Sequence, residues 1–344
     1  MKKFYIVYIL VIAACGVIAF KWDFFTSKSL SNPYNFGILP KENLSNEDYL
    51  QIQEILNAKQ EELEQLVRKL YPAGDSGYAT LDDFMGRSLR GVRQILIDPK
   101  RGWFPEVKLE KINAGGDRCI VTSVPYLNQY PELARSKTEQ LRQVGFNGYY
   151  LYFVGGYPNP SGKEIQYVGV PYALKIFAMM EAEKRGFQKV LWLDSAAMPL
   201  RDPAPIFEWL EKKESFIHGW NAPPNFGMYV LPETRQLLKQ LTGVDVLHSF
   251  YINSVIFGLK MDTKLTRDFI DSYFQMLQLG TPFLSCFPEE CVFMAIYGQK
   301  KFKKNWKKHR LDNVLKYQEA DVPDSAERIE AARSNGFFFY QLRH

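Results

Sequence analysis

Lys189-Val190-Leu191-Trp192-Leu193-Asp194-Ser195 decides how this chain is read. The apolar run is too short for a helix and suits a strand buried on both faces, and it delivers a carboxylate at its end. Pro199, Arg201, Asp202 and Pro203 continue as a loop, and Ile206-Phe207 opens a short Pro-led helix. Upstream, Arg118 to Val124 (RCIVTSV) and Tyr149 to Val154 (YYLYFV) read as strands. Pro131 to Val144 and Pro171 to Arg185 read as helices, and 155–162 as a turn-rich loop. Strands and helices alternating at this spacing predict a doubly wound α/β sheet, whose ligands sit at the carboxyl ends of the strands. Asp194 occupies such an end.

Composition agrees with a folded protein. The 344 residues are 46% hydrophobic and 24% charged, which excludes whole-chain disorder, collagen and a coiled-coil rod. Aromatic residues reach 15%, as strands or an aromatic-lined cleft require. The net charge of +5 is local: Lys300 to Arg310 carries seven basic residues, and the rest of the chain stands at −2. No nucleic-acid partner is therefore expected. With Phe302 and Trp306 interleaved, the patch suits an anionic membrane surface, a cover over a diphosphate, or a solvated face. Cys15, Cys119, Cys286 and Cys291 are too few and scattered for a disulfide scaffold or a zinc site.

The N-terminus bears on location. Phe4 to Phe20 is uncharged, follows Lys2 and Lys3 and precedes Lys21 and Trp22. As a helix it spans about 26 Å, enough for a bilayer core. Residues 1–22 are expected to be an N-terminal transmembrane anchor or signal segment, with a lipobox-like cleavage before Cys15 as the competitor. The apolar run continues past Cys15, which favours an uncleaved signal-anchor. The preceding lysines place the N-terminus in the cytoplasm and the main domain opposite, in the Golgi or ER lumen if eukaryotic and the cell envelope if bacterial.

Residues 23–110 read as linker and helical stem. Ser45 and Asp48 have capping-box spacing, and Tyr49, Ile52, Leu56, Lys59, Leu63, Leu66 and Leu70 fall on a heptad seam. That seam serves either a homodimer through 49–70 or a helix lying on the globular domain. A second helix from Thr80 puts Arg87, Arg90 and Arg93 on one face, most simply a solvated stripe. Residues 111–300 form the expected main domain, and 301–344 a basic C-terminal tail.

Three further segments complete the pattern. Pro171-Tyr172-Ala173-Leu174-Lys175 opens the helix before the decisive strand, Tyr251-Ile252-Asn253-Ser254-Val255-Ile256-Phe257 places an asparagine and a small residue in an apolar strand, and Pro288-Glu289-Glu290-Cys291 starts a later helix. With the strand ending at Asp194, this ordered set resembles the GT-A fold of nucleotide-sugar-dependent glycosyltransferases over about residues 117 to 300. The resemblance implies a GT-A-like mixed sheet flanked by helices. It also implies a membrane-anchored enzyme moving a sugar from a nucleotide-sugar donor to a hydroxyl on a glycan, lipid or protein acceptor.

By the same resemblance, Thr122, Ser123, Tyr126, Lys175, Asp194 and Ser195 contact the donor, and His218, Trp220 and Asn253 line the sugar or acceptor pocket. Asp194, Glu289 and Glu290 are the catalytic candidates, a glutamate taking the acceptor proton if the reaction inverts. The usual D-x-D motif is reduced to Asp194-Ser195-Ala196, so a divalent metal such as Mn2+ has only Asp194 to hold it here. Plainer readings stand beside these: Asp194 capping a turn, Lys175 solvated, His218 structural, and Glu289 and Glu290 favoured by the helix dipole. The missing second carboxylate also leaves open a non-catalytic relative that binds a nucleotide sugar, glycan or partner protein. A nucleotidyltransferase would need a Gly-rich phosphate loop that Val121 to Tyr130 lacks.

Overall fold

The computed structural model describes residues 32–38, 40–71, 80–221, 229–302, 311, 313–317 and 324–342. In chain order the helices are α1 (Asn46–Leu70), α2 (Leu81–Ser88), α3 (Tyr130–Gln143), α4 (Leu174–Lys184), α5 (Ala204–Lys213), α6 (Pro232–Thr242), α7 (Lys264–Leu279), α8 (Pro288–Tyr297) and α9 (Ala326–Ser334). The strands are β1 (Glu106–Ile112), β2 (Arg118–Val124), β3 (Gly148–Val154), β4 (Lys189–Leu193), β5 (Ala197–Pro199), β6 (Ser215–Asn221), β7 (Phe250–Lys260), β8 (Leu315–Lys316) and β9 (Phe339–Gln341).

Alternation along the central strands builds the layers. Val190 and Trp192 of β4, with Cys119 and Val121 of β2, face a cluster that includes Ile176 and Phe177 of α4. Leu191 and Leu193, with Ile120, face Ala134 and Leu141 of α3 and Ile206 and Phe207 of α5. Helices thus cover both faces, as a strand apolar on every residue requires. Each such side chain contributes roughly 1.5–3 kcal/mol by leaving water.

The main sheet runs β1-β3-β2-β4-β7-β6, with β3, β2 and β4 parallel and β1, β7 and β6 antiparallel to their neighbours. The expected mixed α/β sheet flanked by helices is present. Between β6 and β7 the register jumps from Ile217–Phe257 to His218–Asn253. Ser254, Val255 and Ile256 are left without β6 partners, and the Val255 carbonyl instead accepts from the Asp194 amide at 2.9 Å. This irregularity carries β7 over the end of β4, where bulges commonly re-aim side chains.

The segments around this sheet are integrated with it. The capping box at Ser45 and Asp48 starts α1 as expected, and the seam residues Tyr49, Ile52, Leu56 and Leu63 are buried in the cluster that includes α4. The seam is used within the chain, which removes it from a homodimer through 49–70 and makes the helix a packed element rather than a free stem. Tyr34 is fully buried and donates to the Ser88 carbonyl at 2.9 Å, so the stretch read as linker is also docked. At the other end, β8 and β9 join β5 in a three-stranded sheet, ordered β5-β9-β8. Residues 301–344 therefore hold more than a basic tail, and they return the chain to the loop after Asp194.

No helix among the described residues is long and apolar enough to cross a membrane. Phe4 to Phe20, Cys15 and residues 303–310 of the basic patch lie outside the described residues. Phe302, expected to belong to the patch, is fully buried against Tyr297. Cys119, Cys286 and Cys291 are free and buried.

Candidate functional site

A buried lysine organises the carboxyl end of β4. Lys175 lies in the first turn of α4, and its Nζ is 2.8 Å from Glu289 Oε1 and 3.2 Å from Asp194 Oδ1. It also donates to the Ser254 carbonyl at 3.1 Å and to Ser254 Oγ at 3.0 Å. Three chain segments deliver those oxygens: the end of β4, the irregular stretch of β7 and the first turn of α8. Ser254 Oγ in turn lies 2.6 Å from Glu289 Oε1 and 3.0 Å from Glu290 Oε1, and Trp192 Nε1 donates to Asp194 Oδ1 at 2.6 Å. Tyr172, just before α4, has φ of 62°, an uncommon setting for a bulky residue, and its ring lies 5.1 Å from Lys175 Nζ.

Burial and charge then set the protonation states. Burial alone would lower the Lys175 pKa, but Asp194, Glu289 and Glu290 together raise it and keep the ammonium charged. Asp194 is raised, first by burial, against the pull of Lys175 and the Trp192 hydrogen bond. Glu290 is raised well above the usual carboxylate range by burial and then by the Glu289 carboxylate beside it. A charged lysine and a proton-retaining glutamate thus share one floor.

Above that floor is a cleft of about 620 Å³. One wall is α2 and the residues after it, with Arg87 and Arg90. Gly91 permits this approach, since a Cβ there would lie 2.1 Å from the Gly169 carbonyl oxygen. The rim also includes Tyr251, Asn253, Tyr317 and Gln341. Three buried polar atoms of cleft-lining residues have no hydrogen-bond partner within the described structure: Glu289 Oε2, Tyr317 OH and Gln341 Oε1. Buried polar groups are normally satisfied, so atoms of this kind beside a cleft suit a polar ligand.

No family model and no curated protein matches the chain. It is similar to a crystal structure of an active-site mutant of LgtC, with 12% identity over 66% of this chain and 87% of that one and a TM-score of 0.38. A superposition at that level carries no argument about chemistry, which rests on this chain's own side chains.

Of the residues singled out in the sequence, Ser123, Lys175, Asp194, Ser195, Asn253, Glu289 and Glu290 line this one cleft. Thr122 does not: it is fully buried and donates to the Leu193 carbonyl at 2.6 Å. Tyr126 is turned into the core, its hydroxyl on the Phe104 carbonyl and its ring stacked on Trp103 at 5.3 Å, so it has no face free for a base. His218 and Trp220 sit outside the cleft lining, although β6 pairs His218 directly with Asn253. Trp220 is 42% exposed, 4.8 Å from the Tyr251 ring and 5.8 Å from Tyr317, both on the rim. Burial holds the His218 pKa down at about 4, which fits a neutral structural imidazole.

Sequence reasoning passed over Arg87 and Arg90, which face the cleft rather than forming a solvated stripe. Arg93 also lines the cleft but is exposed there and pairs with Glu64 at 2.7 Å.

The site does not fit the divalent metal. Asp194 Oδ1 already accepts from Lys175 and Trp192, and Glu289 Oε1 accepts from Lys175 and Ser254. Among the described residues no three His, Cys, Asp or Glu side chains are grouped to hold a metal ion. An ammonium occupies the centre that a hard cation would need, and a second positive charge there would be repelled.

Proposed function

We propose that this protein is a glycosyltransferase that moves a sugar from a nucleotide-sugar donor to a hydroxyl of a glycan, lipid or protein. The observation that carries the reading is the cleft at the end of β4, with an arginine wall on one side and the Lys175, Asp194, Glu289 and Glu290 cluster as its floor. Transfer of this kind builds negative charge on a diphosphate leaving group and needs a group to take the acceptor proton. Arg87, Arg90 and Lys175 supply the first requirement. The partnerless Oε2 of Glu289 supports a role for that residue in receiving the acceptor proton, while Glu290, holding its own proton, hydrogen-bonds to Ser254 or the acceptor. Asp194 orients Lys175 and leaves part of its carboxylate open to a ribose or sugar hydroxyl. Tyr317 and Gln341 give the sugar further hydrogen-bonding groups.

The GT-A family assignment and the membrane anchor at Phe4 to Phe20 belong to this reading and rest on the sequence. So does the location of the main domain across the membrane from a cytoplasmic N-terminus.

The test is calorimetric titration of nucleoside diphosphates and nucleotide sugars into the wild type and Asp194→Asn, with circular dichroism to check folding. Asn keeps the shape and removes the charge, so nucleotide-sugar affinity should fall at least about tenfold. Equal affinity in two well-folded proteins would reduce Asp194 to a turn residue and remove the reading's central contact. A non-catalytic binder is separated by hydrolysis or transfer of the bound donor sugar, which it would lack.

A further inference from the structure

We infer that the diphosphate of the donor is held by the protein's own cations, Arg87 and Arg90 of the α2 segment, with the Lys175 ammonium in the place of a divalent metal. The inference rests on the glycosyltransferase reading and departs from the metal that the family resemblance implies.

Two observations carry it. The first is the disposition of the arginines. Among the described residues Arg87 has no carboxylate within ion-pair distance, Glu289 and Glu290 acting on it only from farther off, and its guanidinium lies over the face of Phe287, 5.6 Å from the ring centroid. Arg90 donates to the hydroxyl of Tyr130 at 2.9 Å and lies over the same ring. Both line the cleft, as does Arg93, three residues on, but Arg93 is exposed and paired with Glu64. Two guanidinium groups facing a shared cleft with no ion-paired carboxylate among the described residues form an anion site, and their planar forks suit phosphate oxygens. Tyr172, beside them in the cleft lining, does not cancel that charge, since burial raises its pKa to about 12.

The second is the occupation of the floor. Lys175 Nζ has four oxygens within 3.2 Å, contributed by Asp194, Ser254 and Glu289. Those carboxylates compensate an ammonium, so they are not free to compensate a metal. The positive charge facing the diphosphate is then carried by side chains alone. It arrives through the N-terminal helical region, which the sequence treats as a separate stem.

The experiment is calorimetric titration of the full chain in detergent with uridine diphosphate, guanosine diphosphate, the corresponding monophosphates and inorganic pyrophosphate. Each titration is run in EDTA and again in manganese. At least one diphosphate should bind in EDTA, more tightly than its monophosphate, with affinity changing less than about threefold on adding manganese. Arg87→Gln with Arg90→Gln should weaken it by about 10- to 100-fold. Arg93→Gln should change it by less than about threefold, and Arg87→Lys should recover only part of the loss because an ammonium lacks the planar fork. Binding that requires manganese, or that is unchanged in the folded double variant, overturns the inference and leaves the glycosyltransferase reading standing. Equal affinity for mono- and diphosphate also overturns it. Binding of no nucleotide or pyrophosphate under either condition removes both.

Discussion

Lys137 is the sharpest test of the electrostatics beneath the site. It lies on α3 with no exposure, and its Nζ donates to the Ala197 carbonyl at 2.6 Å. No carboxylate among the described residues is within ion-pair distance. Burial pulls its pKa from 10.5 down to about 7, with Asp194 only partly offsetting the shift. Between those values the unfolded chain binds a proton that the folded chain lacks, so stability rises with pH across that window and the penalty is fully present below it. At neutral pH a shift of this size amounts to roughly 4–5 kcal/mol as an upper figure. Lys137→Met keeps the stem and removes the charge, but loses the hydrogen bond to Ala197, which costs about 1–3 kcal/mol. The variant should therefore be about 2–3 kcal/mol more stable than wild type at pH 7, with the gain disappearing by about pH 10. Urea unfolding followed by circular dichroism at both pH values reads the difference. A gain that is independent of pH, or a loss at pH 7, would refute the reasoning.

Two further outcomes follow from the cleft. Glu290→Gln preserves a neutral hydrogen-bonding group, so its unfolding midpoint at pH 7 should match or exceed the wild type. Stability of the wild type, whose folded state holds the extra proton, should decline relative to the variant as pH rises from about 4.5; parallel pH profiles would show that Glu290 is not held protonated. Gly91→Ala sets a Cβ against the backbone of Gly169 and Val170, and should destabilise by roughly 1–3 kcal/mol while weakening diphosphate binding through displacement of the α2 arginines. Unchanged stability and binding would mean that this approach is not what positions α2.

How far the site was legible depends on how local each feature is. The buried strand Lys189 to Leu193 declares itself, because an apolar run of that length ending in Asp has few other uses. Lys175 and Glu289 are visible as residues opening helices, and Ser254 as a small residue in a strand. Their meeting is not visible, since it depends on the antiparallel placement of β7 beside β4 and on the register jump at Ile217 and His218. The same jump pairs His218 with Asn253 and Trp220 with Tyr251, yet only Asn253 and Tyr251 line the cleft, a distinction that sequence spacing does not carry. β8 and β9 have two and three residues, too few to show a period, so Tyr317 and Gln341 could not be foreseen on the rim.

Arg87 and Arg90 show the deeper reason. A charged helix face in sequence looks the same whether it meets water or an anion site, because spacing reports direction and not what stands opposite. The distinction is made by contacts far along the chain: Tyr34 docking on Ser88, the Gly91 approach to Gly169, and Phe287 beneath the Arg87 guanidinium. Each is unremarkable alone, a buried tyrosine, a small residue and an aromatic before a proline. Together they turn an apparent stem inward, so that the electropositive wall and the Lys175 floor come from segments about ninety residues apart. The separation also makes the arrangement testable, since the wall can be neutralised without touching the buried floor.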